Sequence, residues 1–79
     1  MPRYHFHVHD ERGIVDGEGI DLPDLPTAQM EAIRLTGGML LDDASLVHFD
    51  AGWHVSVVDT DGLPLLRVDV MVTDLTRLH

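Results

Sequence analysis

The sequence predicts an α+β domain: a four-stranded antiparallel sheet with the element order β-β-α-β-β, and one helix packed on one of its faces. Three observations carry the prediction. Residues 3–9 alternate between two kinds of side chain, a capping signal at Asp24 opens a long segment of helical spacing, and two further alternating runs flank the turn sequence Asp59-Thr60-Asp61-Gly62.

Taken in order, the first strand places Tyr4, Phe6 and Val8 on one side and Arg3, His5, His7 and His9 on the other, the period of a half-buried strand with an aromatic inner face. Asp10, Glu11, Arg12 and Gly13 read as a turn. Ile14 and Val15 return as a short second strand, and Ile20 and Leu22 extend it beyond the acidic, glycine-rich stretch Asp16 to Gly19. The helix starts near Leu25, with the Asp24 carboxylate as cap and Pro26 in the first turn, where its missing N–H costs nothing. Ala28, Ala32, Leu35 and Met39 form its inner stripe, flanked by Ile33 and Leu40, with Gln29, Glu31 and Arg34 towards water. Gly37 and Gly38 each cost about 1 kcal/mol relative to alanine inside a helix. Because Met39, Leu40 and Leu41 continue the apolar pattern, the favoured reading is a helix packed so closely there that only glycine fits.

An acidic connection over residues 42–52, ending in Asp50, Ala51 and Gly52, leads to a strand in which Trp53, Val55 and Val57 alternate with His54, Ser56 and Val58. After the turn, Leu66, Val68, Val70 and Val72 alternate with Leu65, Arg67, Asp69 and Met71, and Pro64, which cannot donate to a ladder, belongs at the strand start or on an edge. Residues 73–79 read as a frayed tail of a single domain spanning 1–79. The helix then covers the face carrying Tyr4, Phe6, Val8, Trp53 and the valines, and leaves the opposite face bare.

Composition narrows the function classes. With 44% apolar residues the chain has enough material for one core, yet no run nears the roughly 20 apolar residues of a membrane helix. Fourteen carboxylates against five basic residues give a net charge of −9 and no basic face for phosphates, so nucleic acid is not an expected partner. The absence of cysteine removes disulfides, thiolate zinc sites and thiol catalysis, and the alternating N-terminal stretch is no signal peptide, so a cytoplasmic protein is expected. Full protonation of the six histidines would bring the charge from −9 to −3, making association pH-sensitive.

The most unusual local feature is the row His5, His7 and His9, whose members project on one side about 6.6 Å apart. Two such imidazoles can share a zinc ion, with His54 or Asp69 completing the shell; equally, they are polar residues facing water or a subunit partner. Asp16, Glu18 and Asp21, like Asp59 and Asp61, lack the frame of a calcium loop and read as turn carboxylates. Ser45 and Ser56 lack the setting of a nucleophile, and no phosphate-binding glycine loop follows a strand, so no catalytic residue is assigned and no enzyme is expected. Trp53, at the start of an alternating strand, is core. On the outer face Val58, Leu65 and Met71 accompany the polar side chains, and an apolar patch or unpaired edge strand on a small sheet invites a second copy. The expected partner-binding residues are His5, His7, His9, His54, Ser56, Leu65, Arg67 and Asp69. The expected function is a non-catalytic interaction module that forms a homodimer through its sheet, with histidine-based metal binding as the alternative.

Met1, Pro2, Arg3, Tyr4, Phe6, His7, Val8, His9 and Asp10, followed by Leu22, Pro23, Asp24 and Leu25 and an alanine-containing helix, resemble a family of short alphaproteobacterial proteins sharing a domain of unknown function. The resemblance extends to Gly52-Trp53 and the Asp-x-Asp-Gly turn, covers nearly the whole chain, and implies no activity or site residue. Members of that family usually carry alanine or charged residues in place of Gly37 and Gly38. More remotely, the order of elements is similar to HicB-like antitoxin domains, which would imply a small basic toxin as partner for this acidic surface.

Overall fold

The structure, a computed structural model, describes residues 1–10, 13–46 and 52–78. Glu11 and Arg12 of the expected turn, Asp50 and Ala51 of the expected connection, and His79 lie outside the described residues. The elements are β1 (Arg3–His9), β2 (Ile20–Asp21), α1 (Leu25–Asp42), β3 (Trp53–Val58) and β4 (Pro64–Val70), with single 3-10 turns at Ala44–Leu46 and Leu75–Leu78. The sheet is antiparallel in the order β2-β1-β3-β4, which bears out the α+β fold read from the sequence.

Register follows from the alternation. Phe6 faces Val57, Val8 faces Val55 and, across the next ladder, Val55 faces Val68 and Trp53 faces Val70, so all the apolar partners share the helix side. Tyr4, Val8, Ala28, Ala32, Trp53, Val55 and Val57 form the buried cluster, with Val55 and Val57 fully enclosed. Trp53 is core as expected, although among the described residues its buried indole Nε1–H has no acceptor.

The helix begins where the sequence placed it. Asp24 Oδ1 accepts from the Thr27 amide at 2.9 Å and from its hydroxyl at 2.6 Å, and these bonds, the hydroxyl's first, hold the Asp24 carboxyl below its ordinary value. Its inner stripe needs correction. Ala28, Ala32 and Thr36 are buried, whereas Leu35 and Ile33 are exposed. A threonine is tolerated there because its hydroxyl donates to the Ala32 carbonyl at 2.7 Å, leaving only its methyl for the core. The helix runs unbroken through Gly37 and Gly38, but the described residues give no tight packing as the reason: a Cβ on either would meet none of them within 4 Å. The glycine that close approach does require is Gly52, where a Cβ would stand 2.6 Å from the Val70 carbonyl oxygen.

Between β3 and β4 the turn matches its sequence. Asp59 Oδ1 accepts from the amides of Asp61 and Leu63, and Gly62 supplies a positive φ of 83°. The expected tail forms the second 3-10 turn, capped by Asp74 through the Thr76 amide and hydroxyl.

Candidate functional site

The ladders gather the outer-face residues into transverse rows. His7 faces Ser56, which faces Arg67; His9 faces His54, which faces Asp69. The His9 and His54 rings stack with centroids 4.4 Å apart, while His5 to His7 and His7 to His9 stand at 6.4 and 6.5 Å. Burial, followed by the neighbouring His9 and Arg67 charges, lowers the pKa of His54; Asp69 works against that shift. Arg67 Nε donates to Asp69 Oδ2 of its own strand at 3.1 Å, with both side chains exposed. Seven of the eight residues expected at this face therefore share it. Leu65 is the exception, because the ladder slips at Val57 and Val58 and leaves it without a partner of its own, half-buried against the core cluster.

The face is less bare than the sequence implied. Residues 16–19 lie against His5 and His7, and a shallow pocket of about 180 Å³ is bounded there by His5, His7, Asp16 and Val58. Val58, expected to be exposed, is 7% exposed. Asp16 organises the segment. One carboxylate oxygen accepts from the Glu18 and Gly19 amides, and the other caps the Phe6 amide on the outer edge of β1. Burial alone would raise the Asp16 pKa; the bonds from Gly19, Phe6 and Glu18, with the His5 charge, outweigh it and hold it below the ordinary value. The Asp16 backbone takes both adjacent rings, its N–H donating to His7 Nδ1 and its carbonyl accepting from His5 Nδ1, each at 3.0 Å. Gly19, at φ 75°, admits the chain where a Cβ would press on Arg3 Cγ and His5 Cε1 at 2.9 Å. Arg3 closes the end, its fork on both Asp21 carboxylate oxygens and its remaining nitrogen on the Glu18 carbonyl.

Residue spacing did reveal a row of histidines, but the row is not gathered around a point. Among the described residues no group of three or more His, Asp or Glu is placed to hold a metal ion. Asp16 was legible as a turn carboxylate; its grip on the next strand was not. The Asp-Gly-x-Gly spacing, with an acceptor two and three residues before free amides, is the signal that finds it.

The helix side holds what the sequence missed. Because α1 packs over β3 and β4, the β1 and β2 side of the same face is left as an open apolar groove of about 540 Å³, lined by Phe6, Val8, Ile14, Ile20, Leu35 and Met39, with Asp16 and Glu31 at its polar margins. Small side chains at 28 and 32 let the helix sit close to the valines of β3, and a single helix cannot also reach the far edge.

No described helix is long and apolar enough to cross a membrane. Comparison with curated proteins and with solved structures finds no match. A family model does match over residues 3–71, from the first residue of β1 to just past the end of β4, and the chain belongs to that family, described as Domain of unknown function (DUF6894).

Proposed function

We propose that the chain is a non-catalytic interaction module that associates with itself through its sheet. The observation that carries this reading is an unclosed surface. The chain exposes 5436 Å², against about 4,800 Å² for a compact monomer of 8.8 kDa. The excess is comparable with the roughly 800 Å² that one partner contributes to a standard interface. Exposed apolar side chains are found on both layers, among them Ile14 and Ile20 on the sheet side and Ile33 on the helix. A non-catalytic role is supported by how the chain spends its polar groups: Asp16, Asp24 and Asp59 cap backbone amides, and there is no cysteine or lysine to act as nucleophile.

Sedimentation velocity across a concentration series, with and without zinc, tests the reading. The expected result is a dimer that forms at micromolar concentration and is indifferent to chelator. A monomer persisting at high micromolar concentration would overturn it, and a dimer that needs stoichiometric zinc would favour the histidine-metal alternative.

A further inference from the structure

We infer that self-association runs through the free edge of β4, which pairs antiparallel with the β4 of a second copy about a two-fold axis at Val68. This rests on the self-association reading and specifies its geometry. Three observations on this chain lead to it.

First, the edge is open and its hydrogen-bonding groups point outward in a defined phase. Val8 spends both backbone groups on Ile14, on the side of β1 away from β3. Alternation then turns the backbone groups of His5, His7 and His9 towards β3, those of Trp53, Val55 and Val57 towards β4, and those of Leu66, Val68 and Val70 back towards β3. Arg67 and Asp69 are left with their N–H and C=O groups facing outward on the terminal strand of the sheet, and no described residue is hydrogen-bonded to that edge.

Second, the strand is self-complementary about its centre. Reading outward from Val68, the flanking residues are Arg67 and Asp69, then Leu66 and Val70. An antiparallel pair centred on Val68 sets Arg67 opposite Asp69 of the second copy, and Asp69 opposite its Arg67. Those are the two positions with outward backbone groups, so each pair exchanges both its N–H···O bonds. On the helix side, Val68 meets its own copy and Leu66 meets Val70, continuing the apolar face of each sheet into the other.

Third, the opposite edge is protected and this one is not. Asp16, Ile14 and β2 occupy the outer side of β1, whereas the described chain places neither a proline within the interior of β4 nor a capping side chain along it. The Arg67–Asp69 ion pair within one strand exchanges for two equivalent pairs across the new ladder.

Charge reversal tests the register. Arg67→Asp alone, or Asp69→Arg alone, sets like charges opposite each other at both symmetric positions, and is expected to weaken the dimer on the order of tenfold. The double variant Arg67→Asp/Asp69→Arg restores opposite charges and is expected to return the dissociation constant to near that of the native chain. Hydrogen exchange supplies the second readout: the Arg67 and Asp69 amides, which no described residue accepts from, become protected at concentrations where the dimer forms. A native chain that never dimerises overturns the self-association reading itself. A native dimer that ignores both single reversals, or leaves those two amides unprotected, overturns the β4 register while self-association stands. Far-UV circular dichroism separates unfolding from dissociation in the single variants, and if neither folds, the amide protection in the native chain decides.

Discussion

The two edges of this sheet meet the same problem in opposite ways. On the outer side of β1 the unpaired backbone is closed from within: Val8 by Ile14, the Phe6 amide by the Asp16 carboxylate, Tyr4 by β2, and the Pro2 carbonyl by the Leu22 amide. Along β4, at the other edge, Leu66 to Val70 alternate apolar and charged side chains, and no described residue supplies such closure. A loop that folds back costs conformational freedom and needs special residues, here Gly19 at positive φ and an aspartate able to reach three amides. An edge left open needs only a sequence that tolerates, or selects, what pairs with it.

If the closed edge is held by Gly19 and Asp16, damage there should dominate any mutational series. Gly19→Ala adds a Cβ at positive φ and within 2.9 Å of two side-chain atoms, and should cost about 3 kcal/mol, measured by urea denaturation. Asp16→Ala orphans the Phe6, Glu18 and Gly19 amides, for an expected loss of about 2 kcal/mol, with faster exchange at Phe6 as its local signature.

Acid should find the same edge. The Asp16 pKa is lower in the folded than in the unfolded chain, so its stabilisation is complete above the unfolded value of about 3.9 and is lost as pH falls through the folded one. Asp16→Asn should flatten that part of the stability profile. His54, also lowered by folding, acts at higher pH: stability falls as pH drops below about 6.5, because the unfolded chain takes the proton first. His54→Gln should remove this component.

Smaller effects lie away from the closed edge. Gly37→Ala and Gly38→Ala, with open space at both positions, should each raise stability by up to about 1 kcal/mol; a loss at either would restore the tight-packing reading. At the open edge, reversing Arg67 should change the stability of the monomer by less than about 0.5 kcal/mol, since the ion pair it breaks is exposed. A large loss in the monomer would show that the β4 edge has a structural role within one chain, and would blur the contrast between the two sides.

Strand alternation and the Asp24 cap were enough to read the element order, the inner faces of β1, β3 and β4, and the outer-face company of His5, His7, His9, His54, Ser56, Arg67 and Asp69. These depend on period and local chemistry, which the sequence carries directly. Where reading stopped, a long-range quantity was at stake. The lateral position of α1 decides whether Leu35 is core or groove wall, and nothing local to Leu35 fixes it. The bulge that diverts Leu65 is a shift in the β3/β4 register between Val57 and Val58, next to the turn that joins the two strands. Asp16 bonds to a strand ten residues earlier, a pairing that exists only once β1 and its return segment are aligned. The glycine pair invites a packing explanation because it is costly in a helix, but the described residues leave open space around it and supply no such reason.

The Asp16 backbone also fixes something the side-chain positions alone do not. A carbonyl can only accept and an amide N–H can only donate, so His5 must carry its proton on Nδ1 while His7 keeps a lone pair there. In their neutral forms the two rings are opposite tautomers, and their distal nitrogens have opposite polarity, with His5 offering a lone pair and His7 an N–H. Nitrogen chemical shifts of the imidazoles read this directly. An ion drawn to both distal nitrogens would have to force His7 into the other tautomer and break its bond from the Asp16 amide, so loading the histidine row and keeping the edge of β1 fastened are competing states of the same loop.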